Sequence, residues 1–122
     1  MEVRGRTFIT PIVSLMQSVG LYDTVTVEYL PSSSKIVCVS CSAKDVPLGR
    51  DNIAHRAAEI FPVNSGIINI HIQKNIPMSA GLAGGSTDAA AVLVGLNYLL
   101  GNKLSKGELK KMGRMLGADV PF

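Results

Sequence analysis

Alternating apolar and polar residues predict two strands that are each buried on one face. In residues 23–30, Val25 and Val27 fall on the same face of an extended chain, and residues 66–72 repeat this pattern with isoleucine. The inward-facing isoleucines are Ile68, Ile70 and Ile72, and the polar residues between them are Asn69 and His71. Residues 35–42 follow the first strand after a Pro-Ser-Ser-Ser turn, so we expect these two stretches to pair as an antiparallel hairpin.

Two stretches have the pattern of helices that pack against the predicted sheet. Residues 53–61 begin after Asp51 or Asn52 as an N-terminal cap and end before Pro62, which cannot continue a helix. Their expected core face consists of Ile53, Ala57, Ile60 and Phe61. Residues 89–100 are rich in alanine and leucine and are long enough for about three helical turns.

Positive charge is concentrated late in the chain, which raises the question of nucleic-acid binding. The net charge is +3 and the pI is near 9.0. The late cationic residues are Lys103, Lys106, Lys110, Lys111 and Arg114. In residues 105–116, Leu109, Met112, Met115 and Leu116 fall on one helical stripe, which leaves the charges on a solvated face. Three Tyr and three Phe make a poor platform for base stacking, so we expect no nucleic-acid partner.

The length of 122 residues suits one domain with its own core. No apolar run is long enough to cross a membrane, and residues 1–6 lack the apolar block of a signal peptide, so we expect a cytoplasmic protein without a membrane partner. Residues 1–14 predict no clear element, because Pro11 interrupts an apolar run. Cys38 and Cys41 could form a metal or redox pair, but without a second ligand pair we favour two ordinary thiols.

A loop rich in small residues, between the second strand and the Ala/Leu-rich helix, has the composition of a phosphate cradle. Gly81, Gly84 and Gly85 let backbone N–H groups approach an anion, and the first turn of the following helix offers further unpaired N–H groups. Hydroxyl groups come from Ser79, Ser86 and Thr87. Asp88 is expected to cap the first helical turn. The loop matches neither the Walker nor the dinucleotide pattern, and tight packing alone would also explain it.

The order of residues in this loop adds a family resemblance. Residues 77–90 resemble the phosphate loop of the GHMP kinase superfamily, and residues 16–25 and 116–122 resemble further segments of one branch of it. The match runs from about Leu15 to Phe122. It implies an α/β (α+β type) fold, the GHMP kinase amino-terminal domain with its ribosomal protein S5 domain 2-like arrangement. That fold has a mixed sheet with packed helices and an unusual left-handed crossover.

The resemblance also implies a set of site residues for an ATP-dependent kinase. Asp119 would be the catalytic base. The implied ATP-binding residues are Pro77, Met78, Ser79, Ala80, Gly81, Leu82, Ala83, Gly84, Gly85, Ser86 and Thr87, with Lys74 and Asn52. Asn52 would lie near the adenine, although it could be only a helix cap, and Lys74 could be only an exposed strand-end cation. Mg²⁺ would bind the phosphates and could touch Ser86 or Thr87.

The implied reaction is transfer of the ATP γ-phosphate to the 2-hydroxyl of 4-diphosphocytidyl-2-C-methyl-D-erythritol, an isoprenoid precursor. The family's opening strand with its catalytic lysine, and the Tyr-His pair that holds cytidine, have no counterpart in residues 1–122. We therefore expect a partial amino-terminal domain without the carboxy-terminal domain, with little or no turnover, weak nucleotide binding and self-association through exposed sheet edges. The alternatives are an RNA-binding domain and a non-catalytic interaction domain of the same fold.

Overall fold

A computed structural model of the chain describes residues 2–6, 12–16, 24–42, 49, 52–73 and 84–116, with the backbone alone in 2–6, 12–16 and 84–87. It contains five strands and three helices within these ranges. In chain order they are β1 (Glu2–Arg6), β2 (Ile12–Met16), β3 (Thr24–Leu30), β4 (Lys35–Cys41), α1 (Ile53–Ile60), β5 (Gly66–Gln73), α2 (Gly84–Leu99) and α3 (Lys106–Met115).

The strands form one mixed sheet in the order β1-β2-β3-β5-β4. The pairs β1–β2, β2–β3 and β3–β5 are antiparallel, whereas the pair β4–β5 is parallel. The predicted mixed sheet is therefore confirmed, but the predicted hairpin of β3 with β4 is wrong. Strand β5 lies between them. In this position its isoleucine side chains are buried, and the strand has a hydrogen-bonded neighbour on each side.

The first two strands lie in the stretch whose sequence gave no clear prediction. β1 and β2 pair antiparallel over their whole length, from Glu2 opposite Met16 to Arg6 opposite Ile12. β2 begins directly after Pro11, and proline is tolerated next to the start of a strand. The interruption that obscured the pattern therefore marks a boundary of a strand.

The core lies between one face of the sheet and the helices. Val25 and Val27 of β3 are opposite Ile72 and Ile70 of β5, and all four side chains are at most 2% exposed. The predicted inward faces of both strands are confirmed. The helices cover this face with buried side chains, including Ala54, Ala57, Ala58, Leu93, Leu96 and Leu109.

Helix α1 begins as predicted, but its buried face is displaced. Asn52 is the N-cap, and its side chain accepts a hydrogen bond from the Ala54 N–H at 2.8 Å. The fully buried positions are small, Ala54, Ala57 and Ala58, whereas the predicted core residues Ile53 and Ile60 are only partly buried. The two helices α1 and α2 pack directly on one another, and alanine at the contact lets them approach closely.

Helix α3 has a complete capping box, with the Ser105 hydroxyl accepting from the Glu108 N–H at 3.2 Å and the Glu108 carboxylate accepting from the Ser105 N–H at 3.1 Å. Leu109 and Leu116 are buried and Met112 is partly buried, as predicted. Met115 is 68% exposed, so its place on the core stripe is wrong. The five late cationic residues are exposed, which confirms the solvated face.

Candidate functional site

The predicted site residues divide into those that the structure describes and those that lie outside the described residues. Asn52 is described in full, and Gly84, Gly85, Ser86 and Thr87 are described as the first four residues of α2. Lys74, the loop residues Pro77, Met78, Ser79, Ala80, Gly81, Leu82 and Ala83, and the proposed base Asp119 lie outside the described ranges. The site can therefore be built from the ends of the elements that flank the loop.

Helix α2 starts earlier than the sequence predicted. Its first residue is Gly84, so the last four residues of the predicted cradle form the first helical turn. Asp88 consequently lies one turn inside the helix, and the prediction that it caps the first turn is wrong. Asp88 is 3% exposed, which is uncommon for a carboxylate and places it among the packed elements.

Helices α1 and α2 run in the same direction. Phe61 at the end of α1 and Asn97 and Leu100 near the end of α2 line one cavity of about 320 Å³. The Lys35 ammonium, at the start of β4, donates to the carbonyl oxygens of Glu59 and Phe61 at 2.7 and 2.9 Å, so α1 ends where β4 begins. Both helices therefore begin at the edge of the sheet where the parallel strands β4 and β5 end.

Two buried polar side chains lie near the starts of these helices, because Asn52 is the N-cap of α1 and Asp88 follows the first turn of α2. The carboxyl ends of parallel strands are where open α/β sheets bind ligands, because the flanking helices point their N-termini there.

The two helix starts at this edge lack negative charge in their first turns. Neither α1 nor α2 carries an acidic residue in its first turn, whereas α3 has Glu108 there, held in the capping box. The exposed N–H groups and positive dipole end of α2 therefore favour an anion from outside the chain. The residues Gly-Gly-Ser-Thr add no carboxylate that would compete with such an anion.

Asn52 combines a structural and a potential binding role. Its Oδ1 atom accepts from the Ala54 N–H, and its backbone N–H donates to the Gly49 carbonyl oxygen at 2.9 Å. The side chain is 8% exposed, so the cap holds the amide in a fixed orientation at the start of α1. The structural alternative named for Asn52 is confirmed, and the predicted adenine contact remains compatible with it because the amide also carries donors.

Sequence reasoning missed a polar cluster on the face of the sheet that the helices do not cover. The Ser40 hydroxyl lies 2.7 Å from His71 Nδ1, and the Asn69 amide donates to Glu28 at 2.8 Å. These side chains line an open cavity of about 400 Å³. Alternation along each strand signals this face, but only the observed strand order brings the four residues together. In the described part of the chain no group of His, Cys, Asp and Glu could hold a metal ion.

A second polar group runs along α1, from His55 in its first turn to Glu59 near its end. His55 Nδ1 is 2.9 Å from a Glu59 carboxylate oxygen. Burial lowers the pKa of the neighbouring Lys35 ammonium, and the negative charge of Glu59 opposes that shift. The Lys35 ammonium satisfies carbonyl groups that the helix end leaves unpaired. These residues stabilise the scaffold.

Within the described ranges, no helix has the length and apolar character needed to cross a membrane.

Comparison with known proteins identifies the family to which this fold belongs. The family model for the GHMP kinases N terminal domain matches residues 52–122, which include α1, β5, α2 and the segments that follow them. The chain belongs to the GHMP kinase family. The expected resemblance to that family, and the expected amino-terminal fold, are confirmed.

Curated relatives point to one branch of the family. The chain is 50% identical over 114 residues to the 4-diphosphocytidyl-2-C-methyl-D-erythritol kinase of Caldicellulosiruptor saccharolyticus, covering 91% of this chain and 39% of that protein. It is 48% identical over 112 residues to the enzyme of the same name from Clostridioides difficile, covering 88% and 37%. The chain thus spans about two fifths of the length of these relatives.

Solved structures agree with this placement. A crystal structure of a 4-(cytidine 5'-diphospho)-2C-methyl-D-erythritol kinase matches with a TM-score of 0.59 and 35% identity, covering 93% of this chain and 38% of that one. A homoserine kinase from Cytophaga hutchinsonii matches with a TM-score of 0.65 at 19% identity, covering 89% and 37%. The second likeness shows the fold alone.

Proposed function

We propose that this chain forms the ATP-phosphate-binding part of a kinase that phosphorylates the 2-hydroxyl of 4-diphosphocytidyl-2-C-methyl-D-erythritol. The carrying observation is the first turn of α2, Gly84–Thr87, which has no acidic residue and lies, like the start of α1, at the end of the sheet where the parallel strands β4 and β5 end. The 50% identity to a curated kinase of that substrate supports the choice of acceptor.

The proposed division of work follows from what phosphoryl transfer requires. The attacking hydroxyl must be oriented and deprotonated, and the charge on the phosphates must be stabilised by fixed donors. Residues 77–87 and the N–H groups of the first turn of α2 would supply those donors, and Asp119 would act as the base. Asn52 would read the adenine edge through its amide, with Lys74 beside the nucleotide.

ATP and Mg²⁺ are the implied small molecules. The absence of acidic residues from the first turns of α1 and α2 fits the binding of phosphate groups. Mg²⁺ would neutralise phosphate charge, and the hydroxyl side chains in the α2 first turn, Ser86 and Thr87, are the proposed protein contacts. The substrate would be a small molecule, bound without nucleic acid or membrane.

Calorimetric titration with Mg-ATP and an unhydrolysable analogue tests the phosphate site. Gly85→Val adds a branched side chain at the second residue of α2 and should weaken binding at least tenfold. Gly107→Val is the matched control, because Gly107 is the second residue of α3 and a Cβ there would lie 3.9 Å from its nearest neighbour, the Ser105 hydroxyl. Equal affinities for the two variants, with both folds intact by circular dichroism, would contradict the proposal.

A second variant separates the two roles of Asn52. Asn52→Asp keeps an oxygen that can accept from the Ala54 N–H, so the helix cap is kept, but it removes the amide donor proposed to read adenine, so ATP affinity should fall. Asn52→Ala should lose both, with about 1 kcal/mol less stability. Phosphoryl transfer to 4-diphosphocytidyl-2-C-methyl-D-erythritol, measured on the same samples, tests the expected low turnover of this chain.

A further inference from the structure

Strand β4 has one edge that no other described strand covers. It is the last strand of the sheet, and among the described strands it pairs only with β5. An edge strand exposes a row of backbone donors and acceptors, which proteins usually protect with charged side chains, proline, bulges or covering segments. The seven residues of β4 pair with β5 residue by residue, without a bulge or a proline.

Two hydrogen bonds define which backbone groups point outward from β4. The Gly66 N–H donates to the Ser34 carbonyl oxygen at 3.1 Å, and the Ser42 N–H donates to the Ile72 carbonyl oxygen at 3.0 Å. Even-numbered residues of this stretch therefore direct their backbone groups toward β5. Because direction alternates along a strand, the odd-numbered residues direct theirs to the open edge. These residues are Lys35, Val37, Val39 and Cys41.

The exposed side chains of β4 also lack charge. Ile36 is 45% exposed, and Cys38 and Ser40 are exposed on the same face. The one charged residue of the strand, Lys35, directs its ammonium to the carbonyl groups at the end of α1. That cation is engaged in the helix cap, so it does not guard the edge.

We infer that two copies of this chain associate through β4, pairing antiparallel about a two-fold axis at Cys38. In this register Val37 of one copy is opposite Val39 of the other, and Lys35 is opposite Cys41, so the outward-directed groups of both strands meet. Every residue of Lys35–Cys41 then finds a partner. A register shifted by two residues would leave residues at the strand ends unpaired. In the proposed register no two like charges lie opposite each other.

The two-fold axis makes Cys38 a direct reporter of this interface. Cys38 faces its own copy in a non-hydrogen-bonded pair, where Cα atoms lie about 4.5 Å apart. That separation falls inside the range compatible with a disulfide. Both thiols are free in the monomer, Cys38 exposed and Cys41 less so. Cys41 is opposite Lys35 in the dimer, so it has no thiol within reach.

Disulfide trapping tests the register on the whole chain. Diamide oxidises two thiols to one disulfide and takes up the two electrons and two protons. We expect a covalent dimer on non-reducing gels with the parent chain and with Cys41→Ser, and its loss with Cys38→Ser. A covalent dimer that persists in Cys38→Ser and disappears in Cys41→Ser would overturn the inference.

Sedimentation equilibrium tests the pairing without oxidation. Ile36 of one copy is opposite Ser40 of the other, so the double variant Ile36→Lys with Ser40→Lys sets like charges opposite each other twice. Ile36→Lys with Ser40→Glu changes the same two positions and sets opposite charges there. We expect the first dissociation constant to exceed the second about tenfold. Equal constants, or a parent chain that stays monomeric at all concentrations tested, would refute the edge-to-edge dimer.

Discussion

Adding one methyl group at Gly66 should destabilise the chain through two separable effects. Gly66 opens β5 with φ of +115°, a backbone conformation that residues with a side chain rarely adopt. A Cβ there would also overlap the ring of Tyr29, with Cζ at 2.5 Å. That ring is held in place because its hydroxyl donates to the Ser65 carbonyl oxygen at 2.8 Å. Gly66→Ala therefore strains the backbone and displaces an anchored side chain.

Gly101 offers a control that isolates the backbone effect. Its φ is +96°, but a Cβ there would meet only the flexible Lys103 side chain at 4.0 Å. Strain at such a position costs about 1–3 kcal/mol, partly offset by the lower entropy of the unfolded alanine variant, so Gly101→Ala should lose about 1 kcal/mol. Gly66→Ala should lose about 3 kcal/mol, because overpacking and the lost Tyr29 hydrogen bond add to the strain.

Urea unfolding followed by circular dichroism measures both free energies. Combining Gly66→Ala with Tyr29→Ala should remove the overlap, so the glycine substitution should then cost no more than it does at position 101. The reasoning would be refuted if the two glycine variants lost equal stability, or if removing the ring left the cost of Gly66→Ala unchanged.

Two further predictions concern polar contacts that hold the helices. The Asn97 side chain donates to the Leu104 carbonyl oxygen and accepts from the Leu104 N–H, each at 3.0 Å. Asn97→Ala should therefore lower the free energy of unfolding in urea by about 2 kcal/mol, and Asn97→Asp should lower it less. Lys35 has a folded pKa below its ordinary 10.5, so the unfolded chain binds more protons between those values. The free energy of unfolding of the parent chain, measured relative to that of Lys35→Met, should therefore rise with pH across that window. A difference between the two proteins that falls as the pH rises, measured by thermal unfolding at several pH values, would contradict this prediction.

Periodicity along the chain predicted which face of each strand is buried, but it could not predict which strands are neighbours in the sheet. The inward positions of β3 and β5 followed from alternation, and the start of α1 followed from the chemistry of Asn52, because both depend on local geometry alone. The pairing of β3 with β4 was wrong because a short turn favours a hairpin locally. The insertion of β5 between them depends on burial across the whole sheet, which no single window contains.

The candidate site shows the same division. Glycine and hydroxyl residues predicted a phosphate cradle before a helix, and α2 begins at Gly84, inside that segment and earlier than predicted. The position of Asp88 was wrong because Gly84 and Gly85, poor helix formers in isolation, are helical in this context. The polar face formed by Ser40 and His71 could not be seen from the sequence, because the two residues become neighbours only through the parallel pairing of β4 with β5.

The strand order imposes an order of assembly during folding. β5 lies between β3 and β4 in the sheet but is the last of the described strands along the chain, so the sheet cannot close until residue 73 is available. On a ribosome, β3 and β4 would emerge well before the strand that joins them, with Val25 and Val27 exposed to water in the interval. Closing such distant pairs is slow, so we expect the nascent chain to depend on protection by chaperones until β5 arrives.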